Sequence, residues 1–114
     1  KFYNIILKVR TNMSLTNLFK ILKNIEKQLG RKNAPRNHPR VCDIDIIDYN
    51  SLCLKSQLDD DYIETPHPRM NKRNFVIFPL YEVNKTWIHP KSKMTISSLI
   101  NQLDNLDFSD IRIV

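Results

Sequence analysis

The sequence predicts an α+β fold in which helices cover one sheet. Segments with strand-like and helix-like patterns are intermixed along the chain, and a basic loop separates the first helix from an apolar segment that we expect to be a central strand. The 114 residues, 41% of them apolar, suit a single domain with one modest core. We therefore treat residues 1–114 as one domain.

The first half of the chain is expected to contain two strands and one helix. Residues 2–9 are rich in aromatic and β-branched side chains, which indicates a strand. Ser14 can cap a helix whose apolar residues follow the 3.6-residue period, and Gly30 stands where that helix should end. These apolar residues are Leu15, Leu18, Phe19, Leu22, Ile25 and Leu29. Residues 31–40 then predict an exposed basic loop, and residues 41–49 a buried strand interrupted by acids.

The middle of the chain is expected to hold a short strand and two turns or loops. Residues 52–58 favour a strand, and the acidic run at residues 59–61 favours a solvated turn. Pro66 and Pro68 restrict the backbone on both sides of His67, which predicts an extended loop.

Two helices and an edge strand are expected in the last part of the chain. Residues 71–83 have the spacing of a helix, although Pro79 should kink or end it. Thr95 can cap a second helix over residues 96–103. Residues 111–114 suit an edge strand.

Composition limits the classes of function. The net charge of +6 and the pI near 9.5 favour an anionic partner, for which nucleic acid, an acidic membrane or a polyphosphate all qualify. Cys42 and Cys53 lack paired spacing, which argues against a disulfide framework and a zinc site and favours a reducing cytoplasm. The apolar run at residues 5–7 is too short for a signal peptide or membrane span. Because Gly30 is the only glycine, a bound phosphate must be held by side chains and metal.

Two carboxylates lie two residues apart in the predicted central strand. Alternation should place Asp43 and Asp45 on one face, with Cα atoms about 6.5 Å apart, and turn Ile44 and Ile46 toward the core. Mg²⁺ prefers hard oxygen ligands and usually takes one or two carboxylates, leaving other positions to water and phosphates. The alternative is that one acid pairs with Arg40 and the other lies at a solvent-exposed strand end.

Cations precede the two acids in the predicted basic loop. Arg31, Arg36 and Arg40 would bring guanidinium groups to the end of the strand that carries the acids. Metal and arginine together neutralise the charge of a transferring phosphoryl group, so this combination suits a nucleoside triphosphate. The alternative is a solvated basic loop.

A second polar cluster occupies residues 66–75. His67 lies between two prolines, and Arg73 followed by Phe75 can offer a ligand a charge and a flat surface. A lone histidine in a loop is more often structural, which is the alternative here. The aromatic residues and the charge also permit a basic single-stranded nucleic-acid-binding module. Paired acids within a strand argue against that module, and a metal-dependent nuclease has only the Asp-x-Asp pattern in its favour.

Five motifs occur in a characteristic order. They are Phe-x-Asn, Leu-Gly-Arg, Pro-Arg-x-x-Asp-x-Asp-Ile, Pro-His-Pro-Arg-x-x-x-Arg-x-Phe-Val and Pro-Leu-Tyr-Glu. Together they resemble the 6-hydroxymethyl-7,8-dihydropterin pyrophosphokinases of folate biosynthesis over nearly all of the chain. The resemblance implies a ferredoxin-like α/β sandwich. It also implies that the family's first strand, with Gly-Ser-Asn, and the helix and loops after it are missing, so we expect an N-terminally truncated chain.

The resemblance also implies roles for individual residues. Asp43 and Asp45 would bind two Mg²⁺ ions that bridge the phosphates of ATP. The catalytic residues would be Arg31, Arg40, Asp43 and Asp45. The ATP-binding residues would be Glu26, Arg31, Arg40, Ile46, His67 and Arg73. The pterin would stack between Phe2 and Phe75 and bond to Asn4.

Some positions depart from the family pattern or vary within it. Asn37 and His38 stand where many members have Trp-Gly, and Pro68 replaces an aromatic residue found in some. Lys23 and Tyr62 lie at variable positions near the nucleotide and are given no role. The implied partners are ATP and hydroxymethyldihydropterin, with no nucleic acid or membrane, and with fusion to or cooperation with other folate enzymes left open.

Overall fold

The computed structural model describes residues 4–31, 43–58 and 60–103. In these ranges the elements are α1 (Leu15–Glu26), β1 (Leu54–Leu58), β2 (Asp61–Thr65), α2 (Asn74–Val83) and α3 (Ile96–Gln102). A π-helical turn, Lys27–Arg31, follows α1, and a 3-10 turn, Met70–Lys72, precedes α2. The mixture of helices with an antiparallel sheet confirms the predicted α+β class.

Helix α1 begins and ends close to the predicted positions. The Ser14 hydroxyl accepts the backbone N–H of Asn17 at 3.2 Å, as expected of an N-cap. Helical geometry breaks at Gly30, inside the π-helical turn. The expected apolar face is only partly buried, because Ile25 and Leu29 are 36% and 49% exposed. Exposure is greatest toward the C-terminal end of the helix, whereas Leu15 at its N-terminal end is buried.

The two long strands predicted from the sequence are not strands in their described parts. Residues 4–9 and 43–48 have no ladder partner among the described residues, where the sheet consists of β1 and β2 alone. A strand needs a neighbour to take up its backbone N–H and C=O groups, so an apolar, β-branched sequence is not sufficient. Ile5 and Leu7 are accordingly 75% and 74% exposed.

The short strand predicted at residues 52–58 is present as β1, and it forms a hairpin with a strand that the sequence did not predict. Leu54 lies opposite Thr65, and Leu58 opposite Asp61. The expected acidic turn is therefore only partly right, since Asp60 lies in the turn and Asp61 opens β2. The acidic run concealed the start of that strand.

The hydrophobic core lies in the C-terminal part of the described chain, between α2 and α3. It consists of Met70, Val76, Ile77, Leu80, Trp87, Ile96, Leu99 and Leu103. Helix α2 continues through Pro79 to Val83 instead of ending there. Burial of its apolar side chains offsets the backbone hydrogen bond that proline cannot make. Thr95 caps α3 as predicted, and its hydroxyl accepts the N–H of Ser98 at 3.2 Å.

Two predicted elements lie outside the described residues. They are the basic loop, apart from its first residue, and the edge strand at residues 111–114. None of the helices in the described ranges is long and apolar enough to cross a membrane.

Candidate active site

A cleft of about 210 Å³ opens between α1, the acid-bearing segment, β2 and the loop after β2. We call residues 43–48 the acid segment, since both predicted metal ligands lie in it. The cleft is lined by Phe19, Lys23, Ile44, Asp45, Ile46, Tyr62, Ile63, Glu64, His67, Pro68 and Arg69. Apolar and charged side chains therefore share one concave surface, as in many ligand sites.

Helix α1 contacts the acid segment through Glu26. This side chain is almost fully buried, at 1% exposure, and its Oε2 accepts the backbone N–H of Ile44 at 2.6 Å. Its Oε1 lies 3.3 Å from the Lys23 ammonium one helical turn earlier. Burying a carboxylate is costly unless it is paired and hydrogen-bonded, and both conditions are met here.

The other end of the acid segment is fixed to the core and to the His67 loop. The His67 backbone N–H donates to the Ile47 carbonyl oxygen at 2.9 Å. Trp87, a core residue, donates its indole N–H to Asp48 Oδ2 at 2.9 Å. These two bonds hold the segment even though it joins no sheet among the described residues.

The two predicted metal ligands keep the expected alternation. Asp43 and Asp45 are exposed, while Ile44 and Ile46 are half-buried. The prediction that both isoleucines enter the core is wrong, because they line the cleft, and it is Ile47 that packs against the core. Ile47 therefore both packs against the core and accepts the His67 N–H with its carbonyl oxygen.

The exposed carboxylates offer the hard oxygen donors that Mg²⁺ prefers. No group of three or more His, Cys, Asp or Glu side chains suited to a metal occurs within the described ranges. Asp43 and Asp45 alone would leave most coordination positions to water and phosphate oxygens, as is usual for Mg²⁺. The donor set therefore fits a magnesium ion that binds together with a nucleotide.

His67 lies on the cleft surface with one ring nitrogen already engaged. Its Nδ1 accepts the backbone N–H of Arg69 at 3.2 Å, so the neutral ring carries its proton on Nε2. Desolvation lowers the pKa of His67 below 6.5, and the negative charge of Asp45 opposes that shift. The neutral ring can thus donate an Nε2 hydrogen bond to a ligand such as a phosphate oxygen.

A second group of predicted residues lies away from the cleft lining. The Arg73 guanidinium lies 5.4 Å from the centre of the Phe75 ring, within cation–π range, and that ring is 44% exposed. Exposure on this scale leaves Phe75 a surface that a planar ligand could cover. Asn4 is also exposed.

The structure brings some of the predicted site residues together and leaves others apart. Asp45, Ile46 and His67 meet on the cleft surface. Glu26 does not line the cleft, but its carboxylate accepts the backbone N–H of Ile44, which does. Asp43 is exposed on the same segment. The predicted roles of Phe2, Arg40 and the Arg31 side chain lie outside what the structure describes.

Several lining residues were given no site role from the sequence, although Lys23 and Tyr62 were noted as variable positions near the nucleotide. They are Phe19, Lys23, Ile44, Tyr62, Ile63, Glu64, Pro68 and Arg69. Two spacings could have indicated some of them. Phe19 and Lys23 are four residues apart on α1, which places both on one helix face, and Tyr62 and Glu64 are two residues apart on β2, which places both on one strand face.

Comparison with known proteins identifies the family. A family model described as 7,8-dihydro-6-hydroxymethylpterin-pyrophosphokinase (HPPK) matches residues 1–85. The folic acid synthesis protein FOL1 of Dictyostelium discoideum is 42% identical over 104 residues, which are 91% of this chain and 15% of that protein. The 2-amino-4-hydroxy-6-hydroxymethyldihydropteridine pyrophosphokinase of Aquifex aeolicus is 36% identical over 89 residues, 78% of this chain and 53% of that protein.

A Synechocystis protein with the same name as the Aquifex relative is 36% identical over 96 residues, 84% of this chain and 47% of the relative. The chain thus spans about half the length of these two bacterial relatives. The chain belongs to the 7,8-dihydro-6-hydroxymethylpterin-pyrophosphokinase family.

Proposed function

We propose that this chain is part of an enzyme that transfers pyrophosphate from ATP to 6-hydroxymethyl-7,8-dihydropterin in folate synthesis. The observation that carries the proposal is the meeting of Asp45, Ile46 and His67 on one cleft surface. These residues come from two separate motifs of the sequence, and each was assigned to the metal or to ATP by its family resemblance. The single-stranded nucleic-acid-binding alternative gains no support from the comparisons.

We infer that this chain is one part of a longer protein. The names of relatives such as FOL1 and the folate synthesis bifunctional protein of Arabidopsis thaliana support fusion to other folate enzymes. The α+β elements described here would form part of a ferredoxin-like sandwich, with residues 1–114 contributing to one pyrophosphokinase domain.

The proposed reaction is attack of the pterin hydroxymethyl oxygen on the β-phosphorus of ATP. A bond forms between these two atoms, and the hydroxyl proton passes to solvent. The bond from that phosphorus to the oxygen it shares with the α-phosphate breaks, and AMP leaves. Asp43 and Asp45 would hold magnesium, two ions in the full proposal, and the metal would supply positive charge that neutralises the phosphate oxygens. No covalent bond to the protein is needed.

The remaining side chains would position ATP and counter its charge. His67 would donate its Nε2 hydrogen bond to a phosphate oxygen, while the half-buried Ile46 would contact the adenine. Arg31, Arg40 and Arg73 would pair with phosphates, Arg40 acting mainly on charge that grows during transfer. Two exposed or partly exposed cations on the cleft lining, Lys23 and Arg69, add positive charge where the polyphosphate would enter.

The pterin would stack between Phe2 and Phe75, with Asn4 bonding to its edge. The exposed Phe75 ring and the exposed Asn4 side chain support this part of the proposal. Stacking would hold the hydroxymethyl oxygen in line with the β-phosphorus, which reduces the entropy cost of the reaction.

A direct test is AMP release from ATP and hydroxymethyldihydropterin in the presence of Mg²⁺, using the longest natural protein that contains this chain. Asp45→Ala should reduce turnover by at least about a hundredfold, since a metal ligand is lost. The matched control is Asp60→Ala, which removes an exposed acid from the β1–β2 turn and should leave turnover unchanged. Equal turnover in both variants, or no pterin-dependent AMP release from the wild type, would overturn the proposed function.

A further inference from the structure

Glu26 is a buried carboxylate behind the cleft surface. It is 1% exposed and is absent from the residues that line the cleft, so a bound ATP would not reach its carboxylate in this arrangement. The carboxylate is directed instead at the backbone N–H of Ile44, at 2.6 Å. Ile44 is the residue between the two predicted metal ligands.

The hydrogen bond between the Ile44 N–H and Glu26 lies between the two predicted metal ligands. Asp43 and Asp45 flank Ile44, and the Ile44 N–H belongs to the peptide that joins Asp43 to Ile44. Holding this N–H therefore fixes the backbone directly beside Asp43 and one residue before Asp45. The acid segment has no ladder partner among the described residues, which leaves a side chain as the acceptor for this N–H. A hydrogen bond from a backbone N–H to a carboxylate is also stronger than one to a neutral acceptor.

Lys23 pairs with the other carboxylate oxygen of Glu26. Its ammonium lies 3.3 Å from Glu26 Oε1, and its side chain is 22% exposed and lines the cleft. The same lysine can therefore balance the buried carboxylate and face an anion in the cleft. This pairing offsets the cost of burying a carboxylate behind the proposed polyphosphate site.

We propose that Glu26 is a positioning residue that orients Asp43 and Asp45 for Mg²⁺ through the Ile44 N–H, with Lys23 as its counter-charge. The inference rests on the proposed function, because it takes the two aspartates as metal ligands. It replaces a direct contact between Glu26 and ATP with an indirect effect on the metal. Residues that orient metal ligands typically change metal affinity or activity by 10- to 100-fold when they are replaced.

The test compares Glu26→Ala, Glu26→Asp and Glu26→Gln in the natural protein. The Ala and Asp variants withdraw the acceptor from Ile44, whereas Gln retains an oxygen at the same reach without the charge. Glu82→Ala, which removes an exposed acid from α2, is the matched control. If the Ala variant does not fold, the Asp variant gives the same comparison with less loss of volume.

Three measurements separate the outcomes. Amide NMR should show the Ile44 signal shifted upfield and exchanging faster with solvent in the Ala and Asp variants but not in Gln. Titration with Mn²⁺ alone, followed by broadening of the Asp45 amide, should show metal affinity reduced by about tenfold or more in Ala and Asp, and by less in Gln. Neither measurement requires turnover, so both remain interpretable if the proposed reaction is wrong.

The third measurement is enzyme kinetics on the same variants, which gives the Mg²⁺ concentration at half-maximal rate and the KM for ATP separately. The expected result is a higher Mg²⁺ concentration at half-maximal rate, with the KM for ATP changed by less than about twofold when Mg²⁺ is saturating. A raised KM with unchanged Mn²⁺ affinity would overturn the proposal in favour of direct nucleotide contact. A lower Tm with an altered Ile44 amide but normal Mn²⁺ affinity would overturn it in favour of a purely structural bond.

Discussion

Two regions of the molecule are held together in different ways. The core region, residues 70–103, buries Met70, Ile77, Ile96 and Leu99 completely, each at 0% exposure. The cleft region comprises α1, the acid segment, β2 and the loop at residues 66–69, and it depends on individual polar contacts such as Glu26 with Ile44. Apolar burial is the larger source of stability, whereas hydrogen bonds fix geometry. The core region should therefore determine whether the chain folds, and the cleft region whether it binds.

The regions meet at the acid segment. Ile47 packs against the core, and the next residue, Asp48, accepts the Trp87 indole N–H. The predicted metal ligands of the acid segment thus lie within a few residues of a side chain that packs against the hydrophobic core. This proximity allows an exposed acid such as Asp45 to be held in place without being buried.

The largest expected effect on stability is in the core region. Leu99→Ala should lower the free energy of unfolding by about 2–5 kcal/mol, because a completely buried side chain is replaced by a cavity. The matched change Leu7→Ala, at a position 74% exposed, should cost no more than about 0.5 kcal/mol in the 114-residue chain. Urea unfolding of both variants checks the contrast, and equal losses would show that the division into two regions is wrong.

The contact between the regions should have an intermediate effect. Trp87→Phe removes the donor to Asp48 Oδ2 while retaining an aromatic ring, and should lower the free energy of unfolding by about 1–3 kcal/mol. The half-buried carboxylate loses its indole partner and is left with the Ser51 N–H on Oδ1. Adding Asp48→Ala to this variant should lower the free energy of unfolding by less than the same change does in the wild type. Additive losses in this double-mutant cycle would show that the bond does not couple the regions.

Acidification should weaken the core region through His89. This buried histidine accepts the backbone N–H groups of Lys91 and Ser92 on Nδ1, each at 3.1 Å. Desolvation lowers its pKa below 6.5, helped by Lys91 and opposed by Asp48. The unfolded chain therefore binds more protons between the lowered pKa and 6.5, so stability falls as the pH drops through that window.

The check is thermal melting between pH 8 and about pH 5, where the wild type should lose Tm on acidification. His89→Asn keeps an acceptor for the same N–H groups but does not titrate, so it should lose less. The pKa of His67 is lowered in the same direction, and part of the pH dependence should remain in this variant. A variant with the same pH profile as the wild type would contradict the assignment to His89.

The smallest effect on stability is expected at Phe75. Because its ring is 44% exposed, Phe75→Leu should change the free energy of unfolding by well under about 1.5 kcal/mol. Pterin binding, measured by calorimetry with a nonhydrolysable ATP analogue and Mg²⁺, should weaken markedly, while binding of the analogue itself should be largely preserved. Unchanged pterin affinity would remove Phe75 from the proposed site.

Local signals in the sequence predicted the capped helices well. Ser14 and Thr95 cap α1 and α3 because hydroxyl capping depends only on nearby residues. Strand pairing depends on a distant partner, and for this reason residues 4–9 were wrongly assigned as a strand in their described part. The β2 strand was missed since its first residue, Asp61, belongs to an acidic run.

The candidate site was predictable where a motif places its residues close together. Asp45 and Ile46 are two such residues, and the proline-flanked His67 was also found. The contact between Glu26 and Ile44 was not predictable from spacing, as the two residues are 18 positions apart. Arg69 was missed as a lining residue because exposed cations are common on any basic chain. Lys23 was given no role because its position near the nucleotide varies within the family.

The central claim is that the cleft binds ATP together with Mg²⁺ through the acid segment. The most direct measurement is calorimetric titration of a nonhydrolysable ATP analogue with Mg²⁺ into the natural protein and its Asp45→Ala and Asp60→Ala variants. The wild type and Asp60→Ala should bind with the same Kd, and Asp45→Ala should bind at least about tenfold more weakly, with the difference lost when Mg²⁺ is removed. The same Kd in all three proteins with Mg²⁺ present would contradict the claim.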